Sequence, residues 1–153
     1  MLFLLFELGE DRYALDAGQV VEVLPFVRVK HIPRAPAGLA GVFIYRGVAV
    51  PVVDLSELTL GQPATTQLST RLVLVHYPDA KGHNHLLGLI AERATDTLRR
   101  ESADFVTSGI ASDDTTYLGP VTTDRRGIIQ RIDVTTLLPP TVRDLLFTES
   151  ADR

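Results

Sequence analysis

The chain has 153 residues, of which 45% are hydrophobic and 22% charged, and its net charge is −4 at pH 7. These proportions are those of a globular domain and exclude disorder as the dominant state. There is no cysteine, which excludes disulfides, thiolate metal sites and cysteine nucleophiles. The acidic balance argues against a general nucleic-acid binder, which usually carries a basic excess.

The apolar stretch at residues 1–6 ends at Glu7. A signal peptide needs a basic start and a longer apolar run, and a membrane helix needs about 20 apolar residues. We therefore expect a cytoplasmic protein that neither inserts into the membrane nor binds nucleic acid.

Short apolar runs separated by turn residues predict a mainly β protein, a small barrel or sandwich. The predicted strands of the first half cover residues 1–8, 12–16, 42–46 and 48–55, with a half-exposed strand around Val27 and Val29. Pro51 lacks an amide N–H, so its strand should be an edge there or carry a bulge.

Two short helical segments are predicted in the same half. Val20, Val23 and Leu24 fall at helical spacing and predict one or two helical turns over residues 17–24. Pro25 stops that helix. Ser56 is predicted to cap a short helix that ends at Leu60.

The second half repeats the β pattern. It predicts a hairpin over 71–77 and 86–92, an extended segment at 93–100, strands at 117–121 and 127–132, and helical turns over 133–138 and 141–147. The polar stretch 61–69 is the predicted hinge between two halves. We expect one domain over 1–147 and a frayed tail at 148–153.

No catalytic signature stands out. There is no phosphate-binding loop and no serine in a nucleophile-elbow context. The carboxylates are scattered, and the adjacent Asp113 and Asp114 lie in a Ser/Thr-rich loop. The residues indicate a β-rich interaction module rather than an enzyme, with no cofactor and no metal.

The histidines offer one alternative. His76, His83 and His85 fall on a predicted hairpin that could bring three imidazoles together, and neutral imidazole binds transition metals. This would make the protein a small ligand- or metal-binding β-barrel. The alternative without a metal is a polar hairpin loop whose histidines are solvated.

An ordered series of motifs runs along the chain: Ile32-Pro33-Arg34-Ala35-Pro36, Gly41-Val42, Arg46-Gly47 and Val50-Pro51-Val52-Val53-Asp54-Leu55. Together with the opening hairpin and the Leu87-Gly88-Leu89-Ile90 segment, it resembles the CheW-like coupling domain over about residues 2–147. The resemblance implies two small five-stranded SH3-like β-barrels around a shared hydrophobic core. It also implies a non-catalytic adaptor between the cytoplasmic tip of methyl-accepting chemoreceptors and the regulatory domain of a CheA-type histidine kinase.

The resemblance also suggests partner-binding residues: Val20, Glu22, Gly41, Tyr45, Arg46 and Gly47. Arg46 occupies the family's Arg-Gly position, and an arginine beside a glycine turn can reach a partner carboxylate bidentately. Four of them have a structural alternative. Arg46 could bridge the two barrels, Gly41 could serve only the backbone, and Val20 and Tyr45 could belong to the core.

The chain departs from the family pattern at two places. Ile44-Tyr45 replaces the family's Asn-Leu, and Gln130 with Arg131 interrupts a late apolar strand. Shorter motifs, such as Leu68-Ser69-Thr70-Arg71, resemble the Wsp-type surface-sensing branch, whose arrays control a diguanylate cyclase. A further alternative is a regulatory module that binds a response regulator without receptor coupling.

Overall fold

The computed structural model describes residues 1–107 and 116–147. Its strands are β1 (Leu2–Leu8), β2 (Asp11–Asp16), β3 (Val20–Pro25), β4 (Leu39–Tyr45), β5 (Val48–Asp54), β6 (Arg71–Pro78), β7 (Asn84–Arg99), β8 (Leu118–Asp124) and β9 (Gly127–Ile132). The helices are α1 (Leu55–Leu60) and α2 (Pro140–Leu146), with 3₁₀ turns at Ala17–Gln19, Ser102–Asp104 and Val134–Thr136. Asp113, Asp114 and the predicted tail 148–153 lie outside the described residues.

The long strand β7 belongs to two five-stranded sheets. Its first part pairs with β6 and β5, which gives sheet I the order β3-β6-β7-β5-β4. Its second part pairs with β1, which gives sheet II the order β7-β1-β2-β9-β8. The first part ends at Ala91 and the second begins at Glu92, and Arg93, with φ of 51°, lies just after this change, where the register with β1 shifts. The two predicted segments 86–92 and 93–100 are thus one strand that joins the sheets.

Three apolar clusters fill this framework. The largest takes side chains from both sheets, including Leu4 and Phe6 of sheet II with Val75 and Leu87 of sheet I. A second cluster around Phe43 and Leu72 lies within sheet I, and a small third cluster around Phe3 lies within sheet II. The expectation of two five-stranded halves around a shared core is confirmed at the level of pairing and packing.

The predicted helix over 17–24 is wrong. A single 3₁₀ turn at Ala17–Gln19 leads into strand β3, which pairs with β6. The register shifts between Val20 and Glu22, which marks a β-bulge. A bulge interrupts the period-two alternation of a strand. The resulting spacing of Val20, Val23 and Leu24 is the same as that of the apolar face of a helix.

Two smaller expectations also need correction. The predicted strand around Val27 and Val29 is absent, because only Lys30 in that segment forms a β-bridge, to Val42. The cap of α1 is Asp54 rather than Ser56, since the Asp54 carboxylate accepts hydrogen bonds from the amides of Ser56 and Glu57.

Pro51 lies at an edge position of β5, as predicted. It stands opposite Val42 in the β4–β5 ladder, and the pairing of β5 with β7 begins only at Val52. Val42 directs its backbone groups to Lys30, with hydrogen bonds of 2.8 and 3.0 Å, and not to Pro51. The missing N–H of the proline therefore removes no hydrogen bond from the β4–β5 pair.

The predicted hinge 61–69 links α1 to β6. Its backbone is anchored at three points: the amide of Ala64 donates to Asp54, that of Thr65 donates to Glu92, and the carbonyl of Ser69 accepts from Ala94. A hinge role for this stretch stays a prediction. Among the described residues, no helix is long and apolar enough to cross a membrane.

Candidate partner-binding site

The β4–β5 turn displays the arginine that the sequence singled out. Tyr45 pairs with Val48, so the loop contains only Arg46 and Gly47, and their φ values are 49° and 83°. Positive φ at both loop residues is the pattern of a type I′ hairpin turn. Glycine adopts it freely, whereas arginine does so rarely. Backbone strain of this kind is concentrated at functional sites.

A glutamate and a tyrosine accompany Arg46. The Tyr45 hydroxyl donates a 2.5 Å hydrogen bond to Glu22 Oε1, and Arg46 Nη2 lies 3.9 Å from the same oxygen. The Arg46 guanidinium carbon also lies 5.2 Å from the centre of the Tyr45 ring, within cation–π range. The three side chains therefore form one contiguous polar cluster, which we call the Arg46 cluster.

The charge distribution in the Arg46 cluster favours a partner contact. The Arg46 side chain is 79% exposed, whereas that of Glu22 is 39% exposed. The hydrogen bond to Glu22 raises the pKa of the Tyr45 phenol. Glu22 and Arg46 both belong to sheet I, so their contact does not bridge the two sheets.

Two of the predicted site residues lie below this surface. A Cβ at Gly41 would stand 1.9 Å from the carbonyl oxygen of Lys30, and the φ of Gly41 is 152°. The glycine thus permits the Lys30–Val42 bridge. Val20 is half-buried and packs against the largest apolar cluster. The structure brings together Glu22, Tyr45, Arg46 and Gly47, and gives Gly41 and Val20 supporting positions.

Sequence reasoning missed a groove beside the Arg46 cluster. This groove, which we call the β4 groove, has a volume of about 990 Å³ and lies between the segment 27–31 and β4. Its lining is apolar at Leu24, Phe43 and Ile44, and Ile44 is 67% exposed. Three exposed cations line it as well: Arg28, Lys30 and Arg46. The alternation of valine with a basic residue over 27–30 was the available signal.

The histidines do not gather as the metal alternative requires. His85 Nε2 lies 2.8 Å from Asp79 Oδ2 and His83 Nδ1 lies 3.6 Å from it, whereas His76 is an exposed residue of β6 opposite Leu86. Within residues 1–107 and 116–147, no three His, Asp or Glu side chains are placed to hold a metal ion. The His85 ring instead stacks on Phe147, with centroids 4.5 Å apart.

The two polar residues of the late strand have partners within the chain. Gln130 donates a hydrogen bond to the carbonyl of Gly119. Arg131 lies over the rings of Phe3 and Phe105 and 3.8 Å from Asp16. Their polar character therefore serves internal contacts.

Comparison with known proteins adds to this picture. The family described as the CheW-like domain matches residues 2–140. The chain belongs to the CheW-like domain family. The match includes both sheets and the whole Arg46 cluster.

Several relatives of this CheW-like domain are chemotaxis proteins named CheW. That of Bacillus subtilis is 23% identical over 138 residues, which cover 88% of this chain and 85% of the relative. That of Rhizobium meliloti is 28% identical over 109 residues, covering 71% and 67%. That of Klebsiella aerogenes is 27% identical over 96 residues, covering 63% of this chain. The chain spans about half the length of the Klebsiella relative (55%).

A solved structure supports the fold assignment. The crystal structure of the scaffolding protein TtCheW from Thermoanaerobacter tengcongensis superposes with a TM-score of 0.79 at 22% identity. The superposition covers 92% of this chain and 89% of that one. The predicted CheW-like fold, mainly β with short helices, is confirmed.

Proposed function

We propose that this CheW-like domain is a non-catalytic scaffold that couples chemoreceptors to a CheA-type histidine kinase. The observation that carries the proposal is the Arg46 cluster at the surface of a CheW-like fold. Arg46 is the most exposed member and lies on a strained two-residue turn. A scaffold needs such displayed groups and no reactive centre, since it acts only through contacts that differ between the signalling states of its partners.

The proposed partners are the regulatory domain of the kinase and the cytoplasmic tip of a methyl-accepting receptor. Among the described residues, no carboxylate lies within hydrogen-bond distance of the Arg46 guanidinium, since Glu22 is 3.9 Å away, so a partner carboxylate could take that place. Through these partners the protein would act in the cytoplasm, recruited to membrane-associated receptor arrays. Weak individual contacts suffice there, because an array multiplies them.

Co-sedimentation of this chain and the kinase with the cytoplasmic receptor tip, attached to lipid vesicles so that it pellets, tests the proposal. We expect all three to sediment together, and the kinase to lose its association with the receptor when this chain is omitted. A kinase that sediments with the receptor to the same extent without this chain would refute the coupling role.

We further propose that the pathway belongs to the Wsp-type surface-sensing branch, with a diguanylate cyclase response regulator as output. The support is the set of short motifs, among them Leu68-Ser69-Thr70-Arg71. Phosphotransfer from the assembled kinase to such a cyclase regulator, but not to a flagellar-switch regulator, is the expected result. The reverse preference would refute the branch assignment and leave the coupling role intact.

A further inference from the structure

In the part of the chain that the structure describes, sheet I has an unpaired edge at the β4 groove. In a two-residue hairpin the residues next to the loop exchange hydrogen bonds, and the pairs then alternate. Tyr45–Val48 is therefore a bonded pair and Ile44–Ala49 is not. The backbone N–H and C=O of Ile44 consequently point away from β5. Those of Val42 also point away from β5, and they form hydrogen bonds with Lys30. Among the described residues, none pairs with Ile44 on that side.

The segment that could have covered this edge moves away from it. Continuing the antiparallel register from the Lys30–Val42 bridge would place Arg28 opposite Ile44. Instead, pairing ends at Lys30, and the β4 groove of about 990 Å³ opens between residues 27–31 and β4. One wall of the groove is thus an unoccupied strand edge.

The side chains around the groove define what could fill it. Its apolar lining at Leu24, Phe43 and Ile44 suits aliphatic side chains. The exposed cations Arg28, Lys30 and Arg46 surround it, although the chain as a whole has a net charge of −4. Glu22, the nearby acid, is already engaged by Tyr45. Charge complementarity therefore points to an acidic occupant.

We propose that the β4 groove binds an extended acidic segment of a partner protein, which adds as a strand to β4 at Ile44. Strand addition supplies backbone hydrogen bonds, and the alternation of a strand sends every second side chain to the same face. A segment that alternates aliphatic residues with carboxylates would place the former against Phe43 and the latter near the three cations. The inference goes beyond the coupling role, because it requires neither a receptor nor a kinase.

The first test uses a fluorescein-labelled peptide, the acetylated heptapeptide Val-Glu-Val-Glu-Val-Glu-Val with an amidated C-terminus. Fluorescence anisotropy with the full chain should show saturable binding that weakens as salt is added. The same peptide with lysine in place of glutamate, and one in which every backbone amide is N-methylated, should bind at least about tenfold more weakly. No binding of the glutamate peptide, or equal binding of the N-methylated peptide, would overturn the proposal.

Proline variants localise the strand addition. Ile44→Pro removes only the outward N–H and places a ring on the free edge, at a non-bonded position like that of Pro51. We expect it to weaken peptide binding about tenfold or more. Ala49→Pro is the matched control, because the N–H of Ala49 points away from β4, and Ile44→Val controls for the side chain. Circular dichroism verifies that each variant is folded.

The outcomes separate this inference from the proposed function. Unchanged peptide binding by folded Ile44→Pro would overturn strand addition at Ile44. The peptide assay contains this chain alone, so its failure leaves the co-sedimentation result unaffected. Conversely, if the kinase does not sediment with the receptor but the peptide still binds, the coupling role is refuted and peptide binding in the β4 groove still stands.

Discussion

The Tyr45 hydroxyl donates a 2.5 Å hydrogen bond to Glu22, which connects the two edge strands of sheet I. Glu22 lies on β3 and Tyr45 on β4, at opposite ends of the strand order. Sheet II has a similar link, since Arg100 after β7 donates to the carbonyl of Thr123 on β8. Each sheet thus has its edges linked by a side chain, and in sheet I that link also supports Arg46.

Tyr45→Phe should loosen this link without unfolding the protein. The variant loses one hydrogen bond to a charged acceptor, so we expect a small fall in the free energy of unfolding. Urea denaturation measures the change. Glu22→Gln is the matched control, since its amide oxygen still accepts the bond and the loss should be smaller. Equal stability of Tyr45→Phe and the natural chain would show that the bond contributes nothing.

Gly41→Ala should be far more damaging than its size suggests. The new Cβ would stand 1.9 Å from the Lys30 carbonyl oxygen, so the backbone must move and the Lys30–Val42 bridge must open. We expect a loss of at least about 3 kcal/mol in the free energy of unfolding. At Gly47 no described residue beyond its two chain neighbours comes within 4 Å of the new Cβ, so Gly47→Ala should cost only about 1–2 kcal/mol, for the positive φ alone. A similar cost at both positions would contradict the close approach.

Protonation of Asp79 in acid should lower the stability of the fold. The hydrogen bond from His85, followed by those from the His83 and Lys81 amides, lowers the pKa of Asp79 from 3.8 to about 2. A carboxyl group whose pKa is lower in the native than in the unfolded state stabilises the native state at pH values above its unfolded-state pKa. This contribution is lost as the pH falls toward the native-state pKa. The stability difference between the natural chain and Asp79→Asn should therefore shrink between pH 4 and pH 2. A difference that stays constant over this range, measured by urea denaturation, would refute the ionic role of Asp79.

Arg12 and Asp124 should be strongly coupled in sheet II. Arg12 is buried and forms a two-pronged ion pair with Asp124, which holds the pKa of that carboxyl well below its usual range. We expect Asp124→Asn to lower the free energy of unfolding by about 2 kcal/mol. A double-mutant cycle with Arg12→Met isolates the pairwise coupling. If the losses in the free energy of unfolding simply add in the double variant, Arg12 and Asp124 contribute to stability independently of each other.

The sequence predicted most strands because their apolar runs are short and separated by clear turn residues. It failed at β3, where a bulge between Val20 and Glu22 broke the alternation. It also failed at Val27 and Val29, whose alternation is that of a strand although only Lys30 finds a pairing partner. Pairing is a tertiary property, which a local pattern does not contain.

The candidate site was predictable only in part. The Arg46-Gly47 turn and Glu22 stood out through their resemblance to the family motif, and the structure brings them together with Tyr45. The β4 groove could not be foreseen, because it arises where residues 27–29, just before Lys30, do not pair with β4. The exposure of Ile44 depends on the same departure.

Arg46→Glu in the ternary co-sedimentation assay tests the central claim most directly. The Arg46 side chain is 79% exposed and lies 3.9 Å from Glu22, too far for a strong ion pair, so the variant should remain folded by circular dichroism. Arg99→Glu, also exposed but on the sheet II part of β7, is the matched charge control. The account predicts that Arg46→Glu reduces the kinase that sediments with the receptor, whereas Arg99→Glu does not. Full ternary assembly with folded Arg46→Glu would contradict a partner-binding role for the Arg46 cluster.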